Sequence, residues 1–539
     1  MRLNYRAATL AAIVLAGALA RFQGISFGLP GAYHPDENGA AAAVSACAQG
    51  RRVERRYHYP PLMVNVACAA DRVLAPLTAK DNRWHPHDVF SLRFVSATAG
   101  TATIVFVYLL ALRLMTPAGA LGAALLFACF PAAIATSKYG TPDSLLTMFV
   151  VLALWLQVRM AEHGGGSAYF QAALATTLAV ATKYNGAFLA FSFVAAHVWA
   201  ARLHGRPLLE RGPFQASAAA IALGLLIGFP SVLFGGEALT LASGIAGEQK
   251  HLLGGGHYSF SLGPSEGRFV FHFQHSILPA TGPLLLAITV AGLIAMALSR
   301  STAAGVLLAF VVPYYATIEW INKVPPSYER YALPLAGVYM IAAAFVLDRL
   351  VARSDTNNAE FTTARRIAPA ALLLAAACFP LWRSAAFLAP INDDTRARMG
   401  RWMQQHRDDR DLRDNLFVQW PGLRSYYPHL REAGWFKAIP PRGHPLEKTT
   451  YVLASSLFYE RYLEFPQQSP EWTAFYERLF AEGEIVHEED AGVGRYMFHN
   501  PTLRLYRIEG SALSGSSPVP PHANQRLDNT SVGQRSPDS

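Results

Sequence analysis

The residue types best suited to chemistry fall in short polar clusters between long apolar stretches. Tyr33-His34-Pro35-Asp36-Glu37 sets two carboxylates beside an imidazole. Such a group can take a proton from a hydroxyl, most effectively when partial burial brings its pKa toward the working pH. It can equally hold a cation or a sugar's hydroxyls. Asp36 also suits a plainer task, accepting backbone N–H groups where a helix opens over residues 37–49. In Lys138-Tyr139-Gly140-Thr141-Pro142-Asp143 the proline can sit at a helix start and Asp143 in its first turn, where its charge complements the helix dipole. An acidic residue at the edge of an apolar span is also a functional candidate. Arg93, Lys183 (in Lys183-Tyr184-Asn185-Gly186) and Arg330-Tyr331 are cations able to hold a phosphate or to snorkel toward lipid headgroups. In His58-Tyr59-Pro60-Pro61-Leu62 the paired prolines impose an extended approach, and His58 can orient a substrate. His251, His257, His272 and His275 lack metal-ligand spacing and read as solvated loop residues.

The elements that must position these clusters are membrane helices. Of 539 residues, 52% are hydrophobic and 15% charged, against about 45–50% and about 25% in soluble domains. That excludes a cytosolic multidomain enzyme, a disordered scaffold and a disulfide-knotted secreted module. The net charge of +9 sits mostly at the ends of apolar segments, where a bilayer sorts basic residues by side, so nucleic acid is not a predicted partner. Spans of about 20 residues, the length needed to cross hydrocarbon, are predicted at 7–28, 91–114, 117–136, 143–160, 167–182, 185–203, 214–234, 276–298, 302–321, 330–350 and 367–387. The first reads as a signal-anchor. The 167–203 pair is interrupted by Lys183-Tyr184-Asn185.

These about 11 spans define a mainly α, polytopic helix bundle over residues 1–389. Its two large loops are 29–90, with amphipathic stretches at 37–49 and 61–77 that suit the interface, and 235–275, a Gly-, Ser- and His-rich mobile loop. Residues 390–510 read as a small soluble α/β domain, with helices at 394–406 and 472–481 and strands at 416–420, 450–455, 484–487 and 503–508. Residues 511–539 lack apolar periodicity and are expected to be disordered. The run Arg407-Asp408-Asp409-Arg410-Asp411 reads as solvated exterior. Arginines concentrate on one set of loops, which predicts a cytoplasmic N-terminus in the plasma (inner) membrane. The C-terminal domain and every polar cluster then lie on the outer, periplasmic side. Cys47 and Cys68 share one loop and can pair if it faces an oxidising compartment.

Taken in order, YHPDE, YPPL, LRFVSATAGTATIVFVYLLALRL, SKYGTPDSLLTMF, ATKYNG and ERYALPL resemble the polyprenyl-phosphate-dependent glycosyltransferases of the GT-C fold. That family includes protein O-mannosyltransferases and aminoarabinose transferases. The similarity runs over nearly all of residues 1–350 and continues more weakly into the C-terminal domain. It implies a sugar donor carried on a polyprenyl phosphate, a glycan, lipid or protein acceptor, and an active site at the outer membrane face. It places Asp36-Glu37 at the family's Asp-Glu motif, with Asp36 the catalytic carboxylate, and Asp143 at the acidic position of the second outer loop. Arg93, Lys183 and Arg330 match recurring basic positions, and these cations, with Tyr331, are the residues inferred to hold the lipid phosphate. His34, His58 and Tyr139 join Asp143 as candidates for substrate binding. No cofactor is required by these motifs, and a divalent metal is left open. Two other functions compete: a transporter or flippase of lipid-linked sugars, and a non-catalytic assembly or sensor protein with a glycan-binding outer domain.

Overall fold

The computed structural model describes residues 5–51, 57–74, 86–250, 253, 262–263, 269–323, 328–354, 362–418, 423, 426–438 and 449–509. The tail at 511–539, His251 and His257 lie outside the described residues. The N-terminal helix α1 (Tyr5–Phe22) is followed by two short helices, α2 (Pro35–Ala48) and α3 (Leu62–Leu74), and by the long α4 (Pro86–Ala111). Next come α5 (Pro117–Ala128), α6 (Pro131–Thr136), α7 (Asp143–His163), α8 (Gly166–Thr182), α9 (Leu189–Leu203), α10 (Arg211–Gly228), α11 (Pro230–Phe234) and α12 (Ala238–Lys250). The bundle is completed by α13 (Leu278–Leu298), α14 (Thr302–Trp320), α15 (Glu329–Ala332), α16 (Ala336–Ser354) and α17 (Thr362–Leu388).

Among the described residues, eight helices are long and apolar enough to cross a membrane, and the protein is a multi-pass membrane protein. The remaining three predicted spans are helical but interrupted or short. Residues 117–136 divide at Phe130-Pro131, because proline cannot donate the next intrahelical bond. Residues 214–234 divide likewise before Pro230. α8 ends where Lys183 turns extended (φ −156°, ψ 138°), as the polar interruption implied. The predicted loop at 235–275 is in part the helix α12, whose Ala238-Leu239-Thr240-Leu241-Ala242 start contains good helix formers. The bundle packs tightly: a Cβ on Gly292 of α13 would lie 1.9 Å from the Ala342 carbonyl oxygen of α16. Arg21, buried in α1, donates to the carbonyls of Gly17, Ala128 and Phe127 at 3.0–3.3 Å and so ties α1 to the end of α5.

The C-terminal domain opens with α18 (Thr395–Gln405) and α19 (Arg410–Asp414). It builds a sheet from β1 (Leu416–Val418), β2 (Lys437–Ala438), β3 (Thr450–Ser455), β4 (Glu484–Glu489) and β5 (Leu503–Ile508), with α20 (Pro428–Glu432), α21 (Ser456–Glu464) and α22 (Pro470–Glu482) between strands. The strand order is β2-β1-β3-β5-β4, with β2, β1 and β3 parallel and β5 and β4 antiparallel. Alternation of side chains across β3 sends Val452 and Ala454 toward Tyr459, Tyr476 and Leu479 of α21 and α22. Tyr451 and Leu453 go into the cluster holding Met399 and Met403 of α18. β3 is therefore buried on both faces. Arg407 and Asp408 are exposed by 76% and 96%, the solvated exterior expected of that run.

α2 and α3 are joined by a disulfide between Cys47 and Cys68. Peptide mass spectrometry after alkylation is expected to recover the two cysteines as free peptides only from reduced protein. Recovery of both in alkylated form without reduction would contradict the bond.

Candidate active site

The Tyr33–Glu37 turn is built by its own side chains. His34 takes an extended backbone (φ −113°, ψ 134°) and caps α2: its Nδ1 accepts the Asp36 N–H at 3.2 Å. Glu37 reaches back to accept the His34 N–H at 3.3 Å, closing a reciprocal capping box, and Pro35 occupies the first helical position. The cap is thus His34, which leaves the Asp36 carboxylate free of that work.

Glu37 and Arg93 meet each other instead of a ligand. Arg93 of α4 forms a bidentate pair with Glu37 (Nε–Oε1 2.7 Å, Nη2–Oε2 2.8 Å), and both side chains are fully buried. Its remaining nitrogen donates to the carbonyls of Ile25 and Phe27 at 3.1 and 2.7 Å, and the guanidinium stacks on Phe27 at 4.5 Å. Gly140 N–H adds a bond of 2.9 Å to Glu37 Oε1. The expected roles of Glu37 in catalysis and of Arg93 at a lipid phosphate do not fit this placement. The pair locks the end of α1, α2, α4 and the Lys138–Asp143 link together. Burial raises the Glu37 pKa, but Arg93 outweighs it and holds the carboxyl below its ordinary value. Lys138 is also buried, donating to the Arg21 carbonyl at 3.4 Å. Burial above all, then Arg21 and Arg93, pushes its ammonium down to about 7.

The open part of the site is a recess where four charged groups alternate. Asp36 Oδ2 lies 3.6 Å from Arg330 Nη1, and 31% of the Asp36 side chain remains accessible against 13% of Arg330. Lys183 Nζ pairs with Asp143 Oδ1 at 2.7 Å. Tyr59 bridges the two pairs, its hydroxyl 3.4 Å from Asp36 Oδ2 and its ring 5.5 Å from Lys183 Nζ. Burial pushes the Asp36 pKa up, yet the cations Arg330 and Lys183 help hold it below its ordinary value, so the group is ionised at neutral pH. Asp36 in turn, with burial, holds the Tyr59 hydroxyl well above its usual range, which keeps it a donor.

A relay aligns the two cations. Asn185, two residues after Lys183, donates to the Tyr314 hydroxyl at 2.7 Å, and that hydroxyl donates to the Tyr331 carbonyl at 3.1 Å. The Tyr331 ring lies 5.3 Å from the Arg330 guanidinium. Arg330 Nε is buried and has no hydrogen-bond partner among the described residues. Chemically, the recess offers two fixed cations for a phosphate and one ionised, accessible carboxylate for a hydroxyl.

Other expected site residues go elsewhere. Tyr139 is buried between Phe27, His34 and His499, with centroids 5.5, 5.1 and 4.6 Å away, and does not line the recess. His58 is exposed and faces Glu248 of α12 at 4.0 Å. Its neighbour Tyr59 takes the place expected of it, reaching Asp36 and Lys183 from the bend at residues 58–59. His272 is buried, not solvated: its ring meets Ser276 at 2.8 Å and its N–H meets Glu319 at 2.9 Å. His275 contacts Glu464 of the C-terminal domain at 3.5 Å. Among the described residues no three His, Cys, Asp or Glu side chains converge as a metal cluster. Asn185 belongs to the Lys183-Tyr184-Asn185-Gly186 run, whereas Tyr314, inside α14, carried no sequence signal.

Residues 86–232, less than half the chain, match the family model described as dolichyl-phosphate-mannose-protein mannosyltransferase. No curated protein sequence matches the chain. The structure resembles ArnT from Cupriavidus metallidurans bound to undecaprenyl phosphate, with a TM-score of 0.52 at 13% identity, covering 96% of this chain and 100% of that one. It resembles the archaeal oligosaccharyltransferase AglB from Archaeoglobus fulgidus, in complex with an inhibitory peptide and a dolichol-phosphate, with a TM-score of 0.52 at 14% identity. That likeness covers 89% of this chain and 73% of AglB. The chain has the GT-C fold. Within this GT-C bundle the matched segment carries Asp143 and Lys183, while Asp36 and Arg330 come from outside it.

Replacing Arg93 by Ala is expected to strand a buried carboxylate and cost about 3–5 kcal/mol of stability, read as a fall in thermal unfolding temperature in detergent. Because the Glu37 pKa is depressed on folding, its contribution is complete above about 4.3 and is lost as pH falls through the folded value. The wild-type advantage over Arg93→Ala should therefore shrink in acid. An unchanged unfolding temperature would deny the pair its structural role.

Proposed function

We propose that this protein is an integral-membrane glycosyltransferase that moves a sugar from a polyprenyl-phosphate donor to an acceptor hydroxyl, inverting the anomeric carbon. The acceptor belongs to a glycan, lipid or protein. The observation that carries the reading is the accessible Asp36 carboxylate held at 3.6 Å from Arg330, beside the Lys183–Asp143 pair. ArnT of the same fold is described as bound to undecaprenyl phosphate, which supports a lipid phosphate as the anion these cations meet.

In the reaction, Asp36 takes the proton of the acceptor hydroxyl, whose oxygen bonds to C1 of the sugar. The C1–O bond to phosphate breaks with its electron pair on the leaving polyprenyl phosphate. Arg330 and Lys183 neutralise the charge that develops there. When the phosphate draws Arg330 toward itself, Asp36 loses one of the cations that depress its pKa and becomes a stronger base. Tyr59 donates to Asp36 and orients the carboxylate. A divalent metal, if one binds, would meet Asp36 and Asp143, each of which already faces a cation. Transporters of lipid-linked sugars place polar groups near the bilayer midplane on broken helices in matching halves. The charged groups here stand at helix starts and ends on one side of the bundle, which favours the transferase.

The face bearing the recess is proposed to lie outside the plasma membrane, with the N-terminus cytoplasmic. A membrane-impermeant thiol reagent applied to intact cells is expected to label Arg407→Cys. Labelling only after the cells are opened would reverse the orientation. In a strain lacking the gene, mass spectrometry of surface glycans is expected to show one sugar missing, restored by the wild-type chain. Asp36→Asn should lower transfer by about 10²–10⁴-fold, with protein level and unfolding temperature maintained. Full restoration by that variant would remove Asp36 from the chemistry.

A further inference from the structure

The C-terminal domain touches the catalytic turn directly. Its buried ion pair joins Arg396 to Asp394 through two bonds of 2.7 Å, and the third guanidinium arm donates to the Tyr33 carbonyl at 2.9 Å, three residues before Asp36. The guanidinium lies 4.1 Å from the Tyr33 ring and 5.2 Å from that of Tyr426. Gly31 approaches so closely that a Cβ there would lie 2.6 Å from the Tyr426 carbonyl oxygen.

A second contact reaches the cap itself. The Phe498 ring is 4.3 Å from the His34 ring, and His34 accepts the Asp36 N–H. Phe498 sits in a tight turn flanked by Met497 and Asn500, both with φ of 51°. Asn tolerates that conformation but Met does so rarely, so the turn stores strain that its surroundings must hold. They do so at its C-terminal end: Asn500 donates to the carbonyls of Phe387 and Gly494 at 3.2 and 2.9 Å, and its N–H donates to Asp394 at 3.0 Å. His499 Nε2 lies 3.2 Å from the Ala135 carbonyl oxygen. A helix end, the α6 backbone and the Asp394–Arg396 pair all converge to set one aromatic ring against His34.

We propose that Arg396 and Phe498 are positioning residues for the transfer reaction, clamping the His34–Asp36 turn so that the C-terminal domain completes the active site. This rests on Asp36 being the reacting carboxylate. Phe498 also keeps His34 dry. The charged and polar groups around His34 are Asp36 and Glu37 on its own turn, Arg330 and Asp143 from facing elements, and Tyr139. Burial is the largest influence and keeps the imidazole below its ordinary pKa, hence neutral and able to accept the Asp36 N–H. With the ring of Phe498 removed, water reaches His34, its protonation moves toward ~6.5, and the protonated Nδ1 can no longer accept.

The test uses membranes of the deletion strain, whose native lipid donors and acceptors serve as substrate, supplied with purified full-length variants. Arg396→Lys keeps the charge but not the fork, and Phe498→Ala removes the cover. Each is expected to slow transfer at least tenfold while binding of undecaprenyl phosphate stays within twofold of wild type. Phe498→Ala should also move the acid limb of the pH–rate profile up toward ~6.5, whereas Phe498→Leu, which keeps an apolar cover, should retain the wild-type limb and most of the rate. A merely structural role would lower rate equally at every pH. Wild-type rates in Arg396→Lys and Phe498→Ala, with Asp36→Asn inactive, would overturn the clamp alone; an active Asp36→Asn would overturn the reading beneath it. If Phe498→Ala fails to fold, Arg396→Lys decides: a tenfold loss with undecaprenyl phosphate still bound supports the clamp, and wild-type transfer overturns it.

Discussion

Everything at the recess depends on a buried two-pronged ion pair that takes no part in the chemistry. Glu37 and Arg93 surrender all contact with water and satisfy each other, two carbonyls and two backbone N–H groups. A charge pair of this kind gains little over an apolar core in stability, because desolvation offsets most of its attraction. What it supplies is registry. Residues 25–27, α2, α4 and the Lys138–Asp143 link meet at this one pair, and the adjacent Asp36 carboxylate faces Arg330.

This division of labour between neighbours explains how two acidic residues in succession can differ so completely. One is fixed, dry and permanently neutralised; the other is partly wet and paired with a cation able to exchange partners. The GT-C bundle contributes the cations from the ends of α8 and α15, where a helix stops and its side chains can turn inward. The C-terminal domain reaches the cap from the turn carrying Phe498, before β5, and from Arg396 of α18.

The sequence made much of this readable. Asp36, Asp143, Lys183 and Arg330 could be placed on one side of the membrane because span lengths and arginine counts are strong, additive signals. The helices near Asp394 and Trp472 and the strands starting at Leu416, Thr450, Glu484 and Leu503 appear where local periodicity put them. β2 spans two residues, too few for any alternation to register. The pairing of Arg93 with Glu37 was invisible because it spans 56 residues of chain and nothing local distinguishes a structural arginine from a binding one. Tyr139 looked exposed to a substrate only because the domain that covers it lies more than 350 residues away in the chain, as the His499–Ala135 separation of 364 shows. His58 and Tyr59 are turned to different sides by a bend in the chain, which tertiary packing fixes.

The hydroxyl of Tyr314 stands between Asn185 and the Tyr331 carbonyl, on a helix that contributes neither of the charges. The gap separating the two positive centres is therefore gauged by α14 from behind. Drift in that helix's sequence could retune which headgroups fit between them while every residue facing the ligand stayed the same.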